Sequence, residues 1–188
     1  MNYQVLLSNK IRMLILMVAG TVLLFTCYAW GYDGTINVTG NIVDGSCDVG
    51  TDSQNINVEL GNVQASSFNA KGAISNPVPF HIVLKNCTSS VNEADIMFIG
   101  KQDPSNPTLL QLTQSSGVAK NVGIRIRKPS FGDATNLVSI PLNQMLLASD
   151  ELSSGDNTLT YTLSYEATAT PVTVGTGNAV MYFDLYYK

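Results

Sequence analysis

The sequence has 188 residues, with 14 acidic residues against 10 basic ones and a formal net charge of −4 at neutral pH. This length allows one sizeable domain after a targeting segment is removed. An acidic chain gains no affinity from attraction to phosphates, which excludes nonspecific nucleic-acid binding as its function.

The first thirty residues have the pattern of a secretion signal. Lys10 and Arg12 form a short basic n-region, and an apolar run follows over residues 13–26. Residues 27–29 (CYA) have the small-x-small pattern of a cleavage site after Ala29. Cleavage after Gly31 is a close alternative. An uncleaved anchor is disfavoured because the apolar run is shorter than the about 20 residues of a membrane span. We therefore expect an exported chain, with eight basic residues against fourteen acidic ones after Lys10 and Arg12 are lost, a net charge of about −6.

Three cysteines occur in the sequence. Cys27 lies at the edge of the signal, and the bulky Thr26 before it disfavours a lipoprotein reading. Cys47 and Cys87 remain as an even pair in an exported chain, which predicts one disulfide across a loop of about 40 residues. A metal site is the alternative, but His81 is the only histidine and no second cysteine stands at metal-ligand spacing.

After the signal, apolar and polar residues alternate in short runs, which is typical of β-strands with one buried face. Clusters of Gly, Pro, Asn, Asp and Ser separate the runs, and only residues 63–70 allow a turn or two of helix. The runs span residues 36–42, 56–60, 80–84, 96–99, 110–112, 122–126, 159–165 and 181–187. They predict one all-β domain with two sheets packed face to face.

The sequence offers little for catalysis. His81 alternates with Phe80 and Ile82, so it belongs on the polar face of a strand rather than in a catalytic triad. No glycine-rich loop matches a phosphate cradle, and the acids of residues 150–156 lack the glutamate that ends a calcium loop. The basic run 125–128 predicts a strand with one solvated face. We expect no enzyme activity and no cofactor.

The residues that stand out resemble the chaperone–usher pilins, the subunits of type 1 fimbriae in particular, and the N-terminal part is most similar to minor, linker-type subunits. The resemblance covers essentially the whole chain after the signal, in order and with matching spacing. The segments that carry it are residues 33–43 (DGTINVTGNIV), 45–49 (GSCDV), 57–61 (NVELG), 79–87 (PFHIVLKNC), 121–124 (NVGI) and the C-terminal run, with Tyr187 penultimate and Gly175 fourteenth from the end.

This resemblance implies an immunoglobulin-like sandwich that lacks its final strand. The gap leaves a hydrophobic groove beside the C-terminal strand, which a periplasmic chaperone fills first and the next subunit's N-terminal strand fills at an outer-membrane usher. The implied organisation is a signal peptide over residues 1–29, a donor-strand extension over 30–45 and an incomplete domain over 46–188. The implied location is a fimbria on the bacterial surface, reached through the periplasm, where the chain supports cell adhesion.

Two sets of residues carry this mechanism by resemblance. The donor stripe comprises Ile36, Val38, Gly40 and Ile42. The acceptor set comprises Gly175, Met181, Phe183, Leu185 and Tyr187. Ordinary core packing is the alternative for either set. A tip adhesin that binds carbohydrate, or a self-contained periplasmic β-sandwich, are the alternative functions; the sequence does not fix the pilus system, the position in the fibre or a host receptor.

Overall fold

The computed structural model describes residues 46–130, 133–145 and 149–188. The predicted signal and the donor stripe lie outside the described residues. Ten strands are present in the described part: β1 (Asp48–Val49), β2 (Val78–Cys87), β3 (Glu93–Gly100), β4 (Gln102–Asp103), β5 (Asn106–Leu110), β6 (Val122–Ser130), β7 (Asp133–Ser139), β8 (Asp150–Glu151), β9 (Gly155–Ala167) and β10 (Met181–Tyr187).

The strands form two antiparallel sheets. The larger has seven strands in the order β1-β2-β9-β6-β5-β4, with β7 paired to β6, and the smaller has three in the order β10-β3-β8. Two short 3₁₀ helices, Thr51–Ser53 and Ala65–Ser67, complete the regular structure of the described residues. No helix in this part of the chain could cross a membrane. The prediction of an all-β fold is confirmed.

The predicted alternation is visible in β2. Phe80 and Ile82 are buried, whereas His81 and Lys85 are exposed on the opposite face. Successive strand side chains point to opposite faces, so this pattern buries one side of the sheet. The antiparallel pairing with β9 sets Phe80 opposite Tyr161.

An aromatic cluster joins the two sheets. The rings of Phe98 on β3 and Tyr161 on β9 pack edge to face, with centroids 5.1 Å apart, and Phe80 on β2 lies 6.1 Å from Phe98. The buried Tyr161 hydroxyl donates a hydrogen bond to Asp150 Oδ2 at 2.6 Å. The sandwich core therefore lies between β2 and β9 on one side and β3 on the other.

Four sequence-based expectations differ from the structure. Of the predicted run 110–112, only Leu110 lies in a strand, at the end of β5. Residues 56–60 form no strand, although Ile56, Val58 and Leu60 are partly buried in alternation with exposed neighbours. Residues 128–136 are one of the clusters of turn-forming residues that separate the predicted runs, but they hold the end of β6 and the start of β7, an outer strand paired to β6. The basic run 125–128 has no fully solvated face, because Arg125 and Lys128 are both buried in ion pairs.

Candidate functional site: an open edge of the core

Strand β10 is paired along one edge only among the described residues. Seven residues of β10 pair with β3, from Met181 opposite Gly100 to Tyr187 opposite Ala94. The smaller sheet ends at β10 within the described part of the chain. The other edge of β10 thus presents backbone N–H and C=O groups that a further strand could pair with.

The core is less well covered along β10 than along β3. Residues directly opposite in an antiparallel pair share one face of the sheet. Ala94, Ile96 and Phe98 on β3 are each 1% exposed. Their opposite residues on β10, Tyr187, Leu185 and Phe183, pack against the same core but stay partly exposed. The apolar core therefore opens to the surface at β10.

Residues 56–63 contribute Ile56, Val58, Leu60 and Val63 to the margin of the core. Within the described part of the chain, no backbone hydrogen bond joins this stretch to a strand. The alternation of partly buried and exposed side chains follows from contact with the core, whereas a β-strand also requires backbone hydrogen bonds to a neighbouring strand. Residues 56–60 therefore have the side-chain pattern of a strand without the backbone pairing of one among the described residues.

A cavity of about 430 Å³ lies near the Met181 end of β10. Its walls include Gly61 and Val63 on one side and residues 172–178, which lead into β10, on the other. Phe68 and Tyr165 also line it. The Tyr165 hydroxyl donates to the Gly177 carbonyl at 3.0 Å, and burial raises the pKa of Tyr165.

Gly175 lies in the wall of this cavity, and its position requires a glycine for a steric reason. A Cβ atom at this position would collide with the backbone of Gly117, Val118 and Ala119. The close approach allows Thr176 N–H to donate to the Gly117 carbonyl at 2.9 Å, and Ala119 N–H to donate to the Thr176 carbonyl at 3.0 Å. Gly175 thus lies in the segment that precedes β10, where only a glycine allows this segment to approach the backbone of residues 117–119.

The opposite end of β10 is hydrogen-bonded to Cys47, the first cysteine of the disulfide. The Tyr187 hydroxyl donates to the Cys47 carbonyl at 3.2 Å, and the predicted disulfide between Cys47 and Cys87 is confirmed, with an S–S distance of 2.09 Å. Burial raises the pKa of Tyr187. The predicted donor stripe, residues 36–42, lies outside the described residues.

The arginines of the run 125–128, which the sequence placed on a solvated strand face, form ion pairs within the fold. The Arg125 guanidinium donates two hydrogen bonds to Glu166, at 2.7 Å each, and a third to the Thr108 hydroxyl at 2.8 Å. Arg127 lies 3.6 Å from the same carboxylate. The partners belong to β5 and β9, which are far apart in sequence, so the basic run alone could not reveal the burial.

Histidine and metal chemistry find no support in the described residues. His81 is exposed, and its Nδ1 lies 3.0 Å from the Thr160 hydroxyl on the neighbouring strand. No group of three or more potential metal ligands comes together within the part of the chain that the structure describes. The arrangement at β10 is instead suited to binding an extended polypeptide strand.

A model of the fimbrial protein family matches residues 36–188. The chain belongs to this family. Among its relatives, the probable major fimbrial subunit LpfA of Escherichia coli O157:H7 is 39% identical over 157 residues, which cover 83% of this chain and 84% of LpfA. The fimbrial-like protein YcbU of Escherichia coli K12 is 37% identical, over 82% of this chain and 84% of YcbU.

The fold agrees with that assignment. The crystal structure of the P pilus rod subunit PapA matches with a TM-score of 0.61 and 21% identity, over 76% of this chain and 99% of PapA. The fimbrial chain is accordingly an immunoglobulin-like pilin and a structural subunit of a pilus. Such a subunit passes through the periplasm and is displayed on the bacterial surface, which confirms the predicted localisation.

Proposed function

We propose that this pilin polymerises by strand exchange, with β10 as the acceptor and residues 36–42 of a neighbouring subunit as the donor. The observation that carries the proposal is the open core at β10: one edge has no strand partner among the described residues, and Phe183, Leu185 and Tyr187 are less buried than their partners on β3. A strand laid against this edge would supply both the missing backbone partners and the missing cover. No catalytic role is proposed.

The donor stripe has the chemistry that such a gap requires. Ile36, Val38 and Ile42 alternate with polar residues, so they can face the core together, and Gly40 suits a place where a side chain would not fit. Burial of three aliphatic side chains would contribute about 5–8 kcal/mol before the cost of ordering the free segment. Residues 56–63, which lack a strand partner in the described part of the chain, would gain one from the same donor.

The same edge defines the expected partners. A subunit whose core is open would aggregate if left alone, because unpaired edges and apolar surface associate. We infer that a periplasmic chaperone occupies β10 first and that an outer-membrane usher hosts the replacement by the next subunit. The division into a signal at 1–29, a donor extension at 30–45 and an incomplete domain at 46–188 belongs to this proposal.

The experiment compares two neighbouring substitutions in the donor segment. V38D puts a carboxylate on the apolar stripe, whereas T39D puts the same group one residue away, on the alternate face. We expect V38D to retain chaperone binding and to lose entry into the next subunit, as deletion of residues 33–43 also should. T39D should still form fibres. If V38D and the deletion assemble as the unchanged chain does, residues 36–42 are not the donor.

A further inference from the structure

The end of β10 carries an ion pair on the side of the sheet away from the core. Lys188 Nζ lies 2.6 Å from Asp95 Oδ2 on β3. The Asp95 side chain is 4% exposed, and Ser149 Oγ donates to its other oxygen at 2.7 Å. Lys188 Nζ also donates to Ser149 Oγ at 3.2 Å. A nearly buried carboxylate thus has its partners on two other segments.

Backbone bonds place Lys188 for this contact. Lys188 N–H donates to the Glu93 carbonyl at 2.9 Å, and Asn92 N–H donates to the Lys188 carbonyl at 3.0 Å. Tyr186 lies directly opposite Asp95, so residues 186 and 188 share the face that holds the carboxylate. The ion pair therefore forms in the observed alignment of β10 along β3, in which Lys188 lies diagonally across from Asp95.

Apolar patterning alone does not fix that alignment. Because side chains repeat every two residues along a strand, a two-residue slip keeps Met181, Phe183 and Leu185 on the core face. One such slip would set Asp184 opposite Asp95, two carboxylates face to face. It would also remove the Tyr187 hydrogen bond to Cys47 and take Lys188 away from Asp95, which would keep only the Ser149 hydrogen bond and the charge of Lys128. Removal of one partner of a buried charge pair is destabilising, which makes the pair an effective register marker.

We propose that the Lys188–Asp95 ion pair holds the register of β10 against the two-residue slip that would set Asp184 opposite Asp95. A strand paired along one edge, as β10 is among the described residues, has fewer hydrogen bonds to resist such a slip. The consequence for polymerisation rests on the proposed acceptor role: the core-facing residues of β10 must lie at fixed places for a donor strand to match them. In that role Lys188 and Asp95 are positioning residues that touch no donor.

Engineered cysteine pairs read the register directly. Tyr182 lies opposite Ile99, so the pair I99C with Y182C reports the observed alignment. The pair M97C with Y182C is offset by two residues, too far for a disulfide unless β10 has slipped. Both pairs are placed in the full chain, purified from periplasmic extracts, with K188Q, D95N or K188R added. Oxidation followed by peptide mass mapping gives the fraction cross-linked.

The expected result is a severalfold rise of the offset cross-link in K188Q and D95N, with K188R close to the unchanged chain. The matched control is K85Q, which removes the exposed Lys85–Asp156 ion pair of the same 2.6 Å length in the other sheet. It should leave both cross-links unchanged. If K188Q and D95N keep the observed cross-link at the level of K85Q, the ion pair does not set the register.

A second measurement separates this inference from the acceptor role. A synthetic peptide of residues 33–45 is titrated onto the unchanged chain and onto K188Q, with K85Q as the control. Failure of the peptide to bind the unchanged chain would refute the acceptor role and leave the cross-linking result standing. Binding that is equal in the unchanged chain and K188Q, with a slipped register in K188Q, would refute the link between register and donor recognition.

Discussion

Phe98 and Phe183 lie directly opposite each other on β3 and β10, on the same face of the smaller sheet, yet only Phe98 is fully buried. Two like side chains at one register position differ in burial because Phe98 has a neighbour on both sides, β10 and an isolated bridge to Leu142, whereas β10 has one in the described part of the chain. The open core is thus a property of the edge and does not reflect a weak apolar pattern.

The first prediction follows from that pair. F183A should weaken binding of a peptide of residues 33–45 by about 10- to 100-fold, because about 1.5–3 kcal/mol of apolar contact with the inserted strand is lost. Titration calorimetry measures the effect.

The matched control is Y182A, one residue earlier on β10. The Tyr182 side chain lies on the opposite face and is 69% exposed. Its removal should change the dissociation constant by less than about twofold. Equal losses in F183A and Y182A would contradict the placement of the donor on the core side of β10.

The sequence predicted the strands best where burial alternates with exposure. Residues 80–84, 122–126 and 181–187 all fall in strands because their side chains meet the core on one face. Residues 56–60 show the limit of that signal. Their alternation reports contact with the core, but a strand assignment also needs a hydrogen-bonded neighbour, which the sequence of one chain does not show. The donor stripe itself stays a prediction.

Partners that come from distant strands were beyond sequence reasoning. The sequence predicts a solvated Arg125, whereas in the fold Thr108 on β5 and Glu166 on β9 accept hydrogen bonds from it. The same holds for Lys188, whose contact with Asp95 depends on the register of two strands. Strand β7 was not predicted for a different reason. It contains turn-forming residues, because an outer strand tolerates polar and small residues that a central strand does not.

The second prediction concerns the disulfide. Replacement of both Cys47 and Cys87 by alanine should lower the free energy of unfolding by about 4 kcal/mol, because the bond closes a loop with a sequence separation of 40. Urea titration measures it. Dithiothreitol should destabilise the unchanged chain by a similar amount and have no effect on C47A/C87A. Sensitivity of the double variant to the reductant would point to a different origin of the loss.

The third prediction tests the close approach at Gly175. G175A should destabilise the fold by about 1–3 kcal/mol, because the new methyl group must displace the backbone of residues 117–119. The control is G61A, where the space around the Cβ is open and only the positive φ of 71° is strained, at about 1–2 kcal/mol. Chemical denaturation compares the two, and a smaller loss for G175A than for G61A would contradict the steric argument.

The fourth prediction compares a buried ion pair with an exposed one. R125M should lower the free energy of unfolding by about 3–5 kcal/mol, because it leaves Glu166 buried without its bidentate partner. K85M removes the partner of Asp156 on an exposed surface and should cost less than about 1 kcal/mol. Urea titration of both variants checks the difference. Similar losses would show that Glu166 is compensated by other groups, with Arg127 the nearest cation in the structure.

The fifth prediction concerns acid. Burial alone would raise the pKa of Asp95, but hydrogen bonds from Lys188 and Ser149 and the charges of Lys188 and Lys128 outweigh it and hold that pKa below its ordinary value. A carboxyl group whose pKa is lowered by folding stabilises the fold above the pKa of the unfolded chain, about 4, and that contribution disappears as the pH falls through the folded value.

The free energy of unfolding should therefore fall more steeply below about pH 4 for the unchanged chain than for D95N, since the amide does not titrate. Hydrogen bonds donated by Thr135 to Asp133 and by Lys85 to Asp156 also lower the pKa values of these two carboxyl groups, and their effect is common to both proteins. Urea titrations between pH 6 and about pH 2 give both curves. Parallel curves over this range would show that folding does not lower the pKa of Asp95.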